Sequence, residues 1–547
     1  MRVMEDAMIR RRRKMKNFVI LSVICLLFFT SCGSSPPELG SKNGSIVAIE
    51  KSQATSAPNE EADSESLDNV YTVEEEYDIN LNHIGFFTEE EKLAIVTNDN
   101  GGDTFRIVND TGLTLYTGNL SNENSVNLKE ENIRYAEFSD FREEGTYFVM
   151  CGEEVASSSF SIQSSLYDDT IGVLLESFYI NQCGVEVHST IYNDDTRKPC
   201  HSSLATVYGT KEKRDVTGGW HESNDVGRYV VPSAVSVGHL LMLYEGILIE
   251  EEELSLVILS EKEKNGIFEA IKYELDWLMK MQDEKSGGVY HKVTAASPTT
   301  EDEGEELYVF DISTTATADF AAIMAMSSQV FANIDGKYAA KCLEAAEDAW
   351  KYLKNHEENK KFVNPTGVTT KEYADVTDLD ERYWAAAQLY KATKENTYLR
   401  FINNNYDQLE EIDFGWKNVS GFGHIALLSS LEEEDDLLIE IRKEIESTAN
   451  YYVEQMESNA YFVVDEPDGD NLSIATKGLQ LFFAYRMTNN DSYWRAACRY
   501  RNYLLGANRE SMNAIDYVLH EDNRSVIELN ATLLHLIVSC NLFHNVE

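Results

Sequence analysis

Tyr338-Ala339-Ala340-Lys341-Cys342-Leu343-Glu344-Ala345-Ala346-Glu347-Asp348-Ala349-Trp350-Lys351-Tyr352-Leu353 places apolar residues three and four positions apart, as at Ala339, Cys342, Ala346, Ala349 and Leu353. That spacing gathers them on one face of an α-helix. The same texture recurs at 267–281, 316–331 and 382–393, and no strand runs alternate with these segments. Successive amphipathic helices need one another to bury their apolar faces. Residues 165–547 are therefore expected to form an all-α (α/α)6 toroid of paired helices, with its chemistry in the loops at one end.

Upstream, the pattern changes to short alternating pieces such as Leu93-Ala94-Ile95-Val96, Phe105-Arg106-Ile107-Val108 and Thr146-Tyr147-Phe148-Val149, each bounded by Gly, Asn or Asp. This predicts a small all-β sandwich over 73–164, so the chain is multidomain. Residues 33–72 are rich in Ser, Pro, Glu and Asn without apolar periodicity, the texture of a flexible linker. Residues 1–32 carry a basic run at 10–14 and an apolar stretch at 18–29, too short for a spanning helix and suited to a signal peptide. Its end, Phe29-Thr30-Ser31-Cys32-Gly33, resembles a bacterial lipoprotein box, which implies lipidation at Cys32. The chain is expected to be exported and held at a bacterial cell surface through that anchor.

Composition narrows the partners. The 47 basic residues against 94 acidic ones leave a formal net charge of −47 across 547 residues, which repels phosphate backbones and argues against nucleic acid. Apolar residues at 43% are ordinary for a globular protein, so the acidity sits on folded surfaces. Cys151, Cys342, Cys498 and Cys540 read as buried free thiols.

Two constellations carry chemistry. Cys183, Cys200, His201 and His221 are two sulfur and two imidazole groups of the kind tetrahedral Zn²⁺ takes. In an exported protein Cys183 and Cys200 could equally form a disulfide. The loop Gly218-Gly219-Trp220-His221-Glu222-Ser223-Asn224-Asp225 then brings two carboxylates, Glu222 and Asp225, beside the aromatic Trp220 and Tyr229, ahead of a helix beginning near Pro232. Such a pair can position and deprotonate a water, and an aromatic face can stack on a sugar ring. The alternative is an acidic helix entry favoured by the helix dipole, with both rings in the core.

The segment from Asp215 through Gly218-Gly219-Trp220-His221 and Asp225 to Val230 resembles the signature of family 9 glycoside hydrolases, the inverting endoglucanase family, where the acid pair is normally Asp-Ala-Gly-Asp. The resemblance extends to 283–294, 312–321, Asp378-Leu379-Asp380-Glu381-Arg382-Tyr383-Trp384-Ala385, and Phe414-Gly415-Trp416 with Gly421-Phe422-Gly423. The sandwich resembles the immunoglobulin-like module of one subgroup. The resemblance implies hydrolysis of β-1,4-glucan or a related polysaccharide or oligosaccharide, with Asp225 as general base and Glu222 beside it. It also implies structural zinc on Cys183, Cys200, His201 and His221, and calcium near Asp380 and Glu381.

One part of the pattern departs. The family's general acid is a glutamate six residues before an Asn-Ala pair, and register on Asn530-Ala531 puts Arg524 there. Arginine cannot protonate a leaving oxygen. A long loop of the family between the segment matched by Leu504-Leu505-Gly506 and the last helix is also shortened. Glu521, Asp522 and Glu528 are the nearby substitutes for the acid, with Asp465 and Glu466 more remote. The expectation is a surface-anchored hydrolase with an unorthodox acid; the competing one is a glycan-binding homologue that has lost turnover.

Overall fold

Alternating polarity becomes paired strands in the computed structural model of the chain, which describes residues 78–542 apart from 98–101, 122–132, 154, 190–194, 223–224, 255–256, 300–305, 465–469 and 520–525. The strands are β1 (Ile79–Asn80), β2 (Gly85–Phe87), β3 (Leu93–Val96), β4 (Thr104–Asn109), β5 (Thr114–Asn119), β6 (Arg134–Glu137), β7 (Gly145–Cys151), β8 (Val155–Ala156) and β9 (Phe160–Gln163). One sheet runs β1-β3-β6 and the other β2-β9-β7-β4-β5, with β8 beside β7. In β7 the two-residue period sends Tyr147, Val149 and Cys151 inward. Between the sheets, Phe86 meets Phe138 and Phe160 edge-on at 5.7 and 5.8 Å between ring centroids, the geometry aromatic quadrupoles prefer.

The helical part comprises α1 (Asp168–Ile180), α2 (Val230–Leu254), α3 (Glu261–Met281), α4 (Thr314–Val330), α5 (Gly336–Asn355), α6 (Leu379–Thr393), α7 (Asn396–Asn405), α8 (Ser420–Leu428), α9 (Asp436–Met456), α10 (Asn471–Thr488), α11 (Asp491–Leu504), α12 (Ala514–Leu519) and α13 (Ile527–Asn541). Two kinds of helix alternate. In α4 every residue from Thr314 to Ser328 is buried, and α6 is buried from Asp380 to Leu389. Helices enclosed all round belong to an inner layer. In α5 burial follows one stripe, Ala339, Cys342, Ala346, Ala349 and Trp350, as an outer helix requires. The inner helices pack α2 on α4, α4 on α6 and α6 on α8, while α13 packs on both α10 and α2 and so closes the ring.

Short strands sit among the helices. Ala205–Val207, Lys213–Arg214, Arg228–Tyr229, Lys292–Thr294 and Tyr308–Val309 make a five-stranded sheet at the mouth of the ring. At two or three residues each they are too short to show a period, so the all-helical expectation for this region gains a small sheet.

The sandwich is joined to the helices through buried polar contacts. Glu90 accepts from the Arg501 guanidinium, with the two residues 3% and 0% exposed. Asn82 Nδ2 donates to Tyr167 Oη and Asn502 Oδ1, both at 2.8 Å. Nearby, Arg499 pairs with Glu91 at 2.7 Å across a wetter contact. Arg501→Met strands a buried carboxylate and is expected to lower stability by about 3–5 kcal/mol, whereas Arg499→Met should cost about 1 kcal/mol or less. Urea unfolding of both variants checks this; equal losses would contradict it.

Candidate active site

The loop from Asp215 to Tyr229 is shaped by its own hydrogen bonds. Asp215 Oδ1 accepts from Thr217 N–H at 3.0 Å and from Thr217 Oγ1 at 2.7 Å, turning the chain. Gly219, at φ 82°, lies against Trp277, where a Cβ would come within 2.5 Å of the indole. Only glycine fits there. Buried Arg228 donates from Nη1 to Val216 O at 2.6 Å and Gly218 O at 2.8 Å. Strand pairing of Tyr229 with Lys292 then fixes the end of the loop.

Both oxygens of Asp225 are held. Oδ1 accepts from Gly227 N–H at 2.7 Å and Oδ2 from the Tyr229 hydroxyl at 2.9 Å. A Cβ at residue 227 would stand 2.6 Å from Oδ1, so glycine keeps that approach open. A carboxylate so oriented, 7% exposed, is placed to take a proton from a water. Under it, the Lys292 ammonium donates to Asn364 Oδ1 at 2.7 Å, Thr370 Oγ1 at 2.9 Å and Lys371 O at 2.6 Å. It also stands 5.0 to 5.6 Å from the Phe310, Phe362 and Tyr229 rings. Burial pulls this lysine down to about 8 against the attraction of Asp225. The clamp holds the segment that delivers Tyr373.

Glu222 points elsewhere. Its carboxyl faces the Tyr373 hydroxyl at 3.5 Å, and the Ile527 N–H at the start of α13 acts to lower its pKa. Burial pushes it up to about 8, with Lys371 opposing and Asp225 adding. It is protonated at neutral pH. The Tyr373 ring stands 5.0 Å from Tyr229 and 5.2 Å from Trp416, edge-on to both. Trp416 N–H in turn donates to Glu528 Oε1 at 2.8 Å. Glu528 is 1% exposed, and burial holds it well above the carboxylate range, with Glu222 adding.

Cys183, Cys200, His201 and His221 come together as their spacing suggested. Their four ligand atoms lie within 4.8 Å of one another: the sulfurs are 3.7 Å apart, Cys183 Sγ is 3.4 Å from His201 Nδ1, and Cys200 Sγ is 3.6 Å from His221 Nε2. Both cysteines are free thiols. Ligands ~2.0–2.3 Å from one tetrahedral centre would lie ~3.3–3.8 Å apart, so the set fits Zn²⁺. The hydrogen bond between the sulfurs pulls the Cys200 thiol down and raises that of Cys183. A thiolate is the form a metal binds.

Other expectations are corrected. Trp220 is 1% exposed with its ring 5.1 Å from Phe178, and Tyr229 is fully buried as the anchor of Asp225. Neither has a face free for a sugar; Tyr373 and Trp416 are partly exposed, with Lys371 and Lys417 5.6 and 5.5 Å from their ring centroids. Trp416 lay in a quoted segment but carried no signal of exposure, and Tyr373 sits in a loop without periodicity. The calcium expectation at Asp380 and Glu381 is not met. Asp380 Oδ2 accepts from Val419 N–H at 2.9 Å, and burial raises Asp380 to about 6 and Glu381 well above its usual range. Ca²⁺ needs about six to eight oxygens. Among the described residues only the Cys/His set brings three or more candidate metal ligands together. Cys32, Asp465, Glu466, Glu521, Asp522 and Arg524 lie outside the described residues. Cys151, Cys342, Cys498 and Cys540 are buried.

A ring of paired helices with an oriented carboxylate and partly exposed aromatic rings beside it is the arrangement of a glycoside hydrolase. Residues 167–523 match glycosyl hydrolase family 9 and residues 74–156 the cellulase N-terminal ig-like domain; the chain belongs to glycosyl hydrolase family 9. It is 32% identical over 457 residues to a cellodextrinase of Butyrivibrio fibrisolvens, covering 78% of this chain and 82% of that protein. It is 30% identical over 519 residues to endoglucanase D of Acetivibrio thermocellus, covering 91% and 76%. A solved Zn-binding triple mutant of the family 9 endoglucanase J30 superimposes with a TM-score of 0.69 at 28% identity, covering 78% of this chain and 83% of that one.

The buried acids set a pH dependence. Glu222 and Glu274 are both raised from 4.5 to about 8 by burial, so between those values the folded chain holds protons that the unfolded chain has lost. Stability therefore falls as pH rises through that window. His239 and His291, lowered by burial to about 3, act oppositely, but only below the ordinary histidine value of 6.5. From pH 6.5 to 8 the unfolding free energy should drop, by up to about 1.4 kcal/mol per pH unit for each such acid. Glu274→Gln should flatten that slope in urea titrations; an unchanged slope would contradict the assignment.

Proposed function

We propose that this family member hydrolyses β-1,4-glucan or its oligosaccharides with inversion. The observation that carries the reading is the fixing of both Asp225 oxygens by Gly227 N–H and Tyr229 Oη. An inverting reaction needs one carboxylate to deprotonate water on one side of the glycosidic bond and an acid about 6.5–9.5 Å away on the other. Asp225 takes the first role. Glu222, neutral and tied to α13, assists by hydrogen bonding without taking the proton itself. Tyr373 and Trp416 supply stacking faces for sugar rings. The similarity to a cellodextrinase and an endoglucanase supports a glucan of the cellulose type.

Two finer features belong to the same reading. Cys183, Cys200, His201 and His221 would hold Zn²⁺, whose chemistry there is a structural cross-link ahead of the base loop. Cys32 would carry a lipid that keeps the enzyme at the bacterial cell surface, a reading supported by the sequence of the amino terminus alone. The competing view, a glycan-binding homologue without turnover, is favoured by Arg524 at the family's acid position.

Reducing-sugar release on a panel of β-glucans and cello-oligosaccharides tests the proposal. Wild-type turnover should fall by at least about 100-fold in Asp225→Asn and by about 10-fold in Tyr229→Phe. Binding without turnover in the wild type would replace hydrolase by binder. Elemental analysis should find zinc that Cys183→Ser loses, with a lower Tm after chelation; a metal-free protein of unchanged Tm would remove the metal from the account.

A further inference from the structure

With the family's acid position occupied by Arg524, a proton donor has to come from another part of the site. Such a group must keep its proton at working pH, lie beside the sugar-facing surface, and stand away from the base. The rings give a row to measure against. Asp225 is bonded to Tyr229, whose ring lies 5.0 Å from Tyr373; Tyr373 lies 5.2 Å from Trp416; and Trp416 N–H is bonded to Glu528. Three residues, Tyr229, Tyr373 and Trp416, thus stand in the chain of contacts between the base and Glu528, and Tyr373 and Trp416 are partly exposed.

Glu528 is otherwise unexplained. It sits on the first turn of α13, 1% exposed, and the groups facing it are Glu222, Asp413, Asp470, Asp319 and Tyr373, none of them cationic. Burial, with Glu222 adding, pushes its carboxyl well above the ordinary range, toward the protonated form a donor needs. Its Oε1 is pinned by one backbone N–H, and among the described residues its second oxygen takes no hydrogen bond.

We propose that Glu528 is the general acid of this enzyme, replacing the family's position. This rests on the hydrolase reading above. In the reaction, water oxygen bonds to the anomeric carbon while its proton passes to Asp225. The bond from that carbon to the leaving oxygen breaks with its electron pair going to the oxygen, which takes the proton of Glu528. Asp225 then releases its proton to solvent and Glu528 regains one, so both carboxyls end as they began and one water has been added across the bond.

The test compares two leaving groups. A sugar hydroxyl needs a proton to depart, whereas dinitrophenolate leaves as the anion. Glu528→Gln keeps an oxygen for Trp416 N–H, and it should lose at least about 100-fold on cellotetraose but under about 5-fold on 2,4-dinitrophenyl β-cellobioside. Asp225→Asn should lose both. If the glutamine variant does not fold, Glu528→Asp is read in the same way, with a deficit confined to cellotetraose. Equal losses on the two substrates, or none, would overturn the role of Glu528 while leaving the hydrolase intact. A wild type inert toward both would overturn the hydrolase reading itself.

Discussion

Helix α13 begins at a residue, Val526, whose side chain caps nothing, and the carboxyl of Glu222, three hundred residues away in sequence, lies near enough to the Ile527 N–H of its first turn for its pKa to be lowered by it. Much of the structure turns on that contact. The helix closes the ring by packing on α2 and α10, and its first turn is also the floor of the site. A helix start left without partners in a dry interior is costly. Glu222 meets that need, and its extra methylene relative to aspartate gives the reach. The same contact explains why Glu222 does not duplicate Asp225: one carboxyl is committed to a helix end, the other to a backbone N–H and a phenol.

The distribution of charge follows from this division. Glu222, Glu274, Asp319, Glu381 and Glu528 are all enclosed and raised above the ordinary carboxylate range, burial being the first cause in each case. A ring interior holding that many ionised acids would repel itself apart, and burial favours the protonated form of each. Lys292, the cation nearest Asp225, is itself buried and clamped to a loop. The large negative charge of the chain is thus a property of its outer surface, while the site works with a few protons placed by burial.

Much of the fold was legible because helices of fifteen or more residues write a period into the sequence, as 338–353 does. Strands such as Arg228–Tyr229 were not, since two residues carry no period, yet this one holds Tyr229 against Lys292. In the site, the Cys/His set was readable from residue type, whereas Asp225 was singled out by resemblance to a family segment. The roles of the aromatics were not. Trp220 and Tyr229 adjoin the carboxylates in sequence but are buried, whereas Tyr373 and Trp416 come from distant loops and keep partly exposed faces. Exposure is decided by what packs on a ring, and for Trp220, in a loop, that is Phe178 from α1.

The Cys/His set belongs to the same mechanical problem. Cys183 N–H donates to Gly219 O and His221 N–H to Asn181 O, both at 2.8 Å, so the chain leaving α1 runs alongside the start of the base loop. Cys200 and His201 close the cluster from a third segment. Joining three segments at one point removes loop freedom that Arg228 and the glycines alone would leave. Three residues separate His221 from Asp225, and Asp225 is then held by Gly227 and Tyr229. The loop is therefore fixed at both ends, by the cluster before the base and by strand pairing after it. With its ends fixed, side-chain length decides what each carboxyl reaches: Glu222 faces Tyr373, and Asp225 is held by Gly227 and Tyr229.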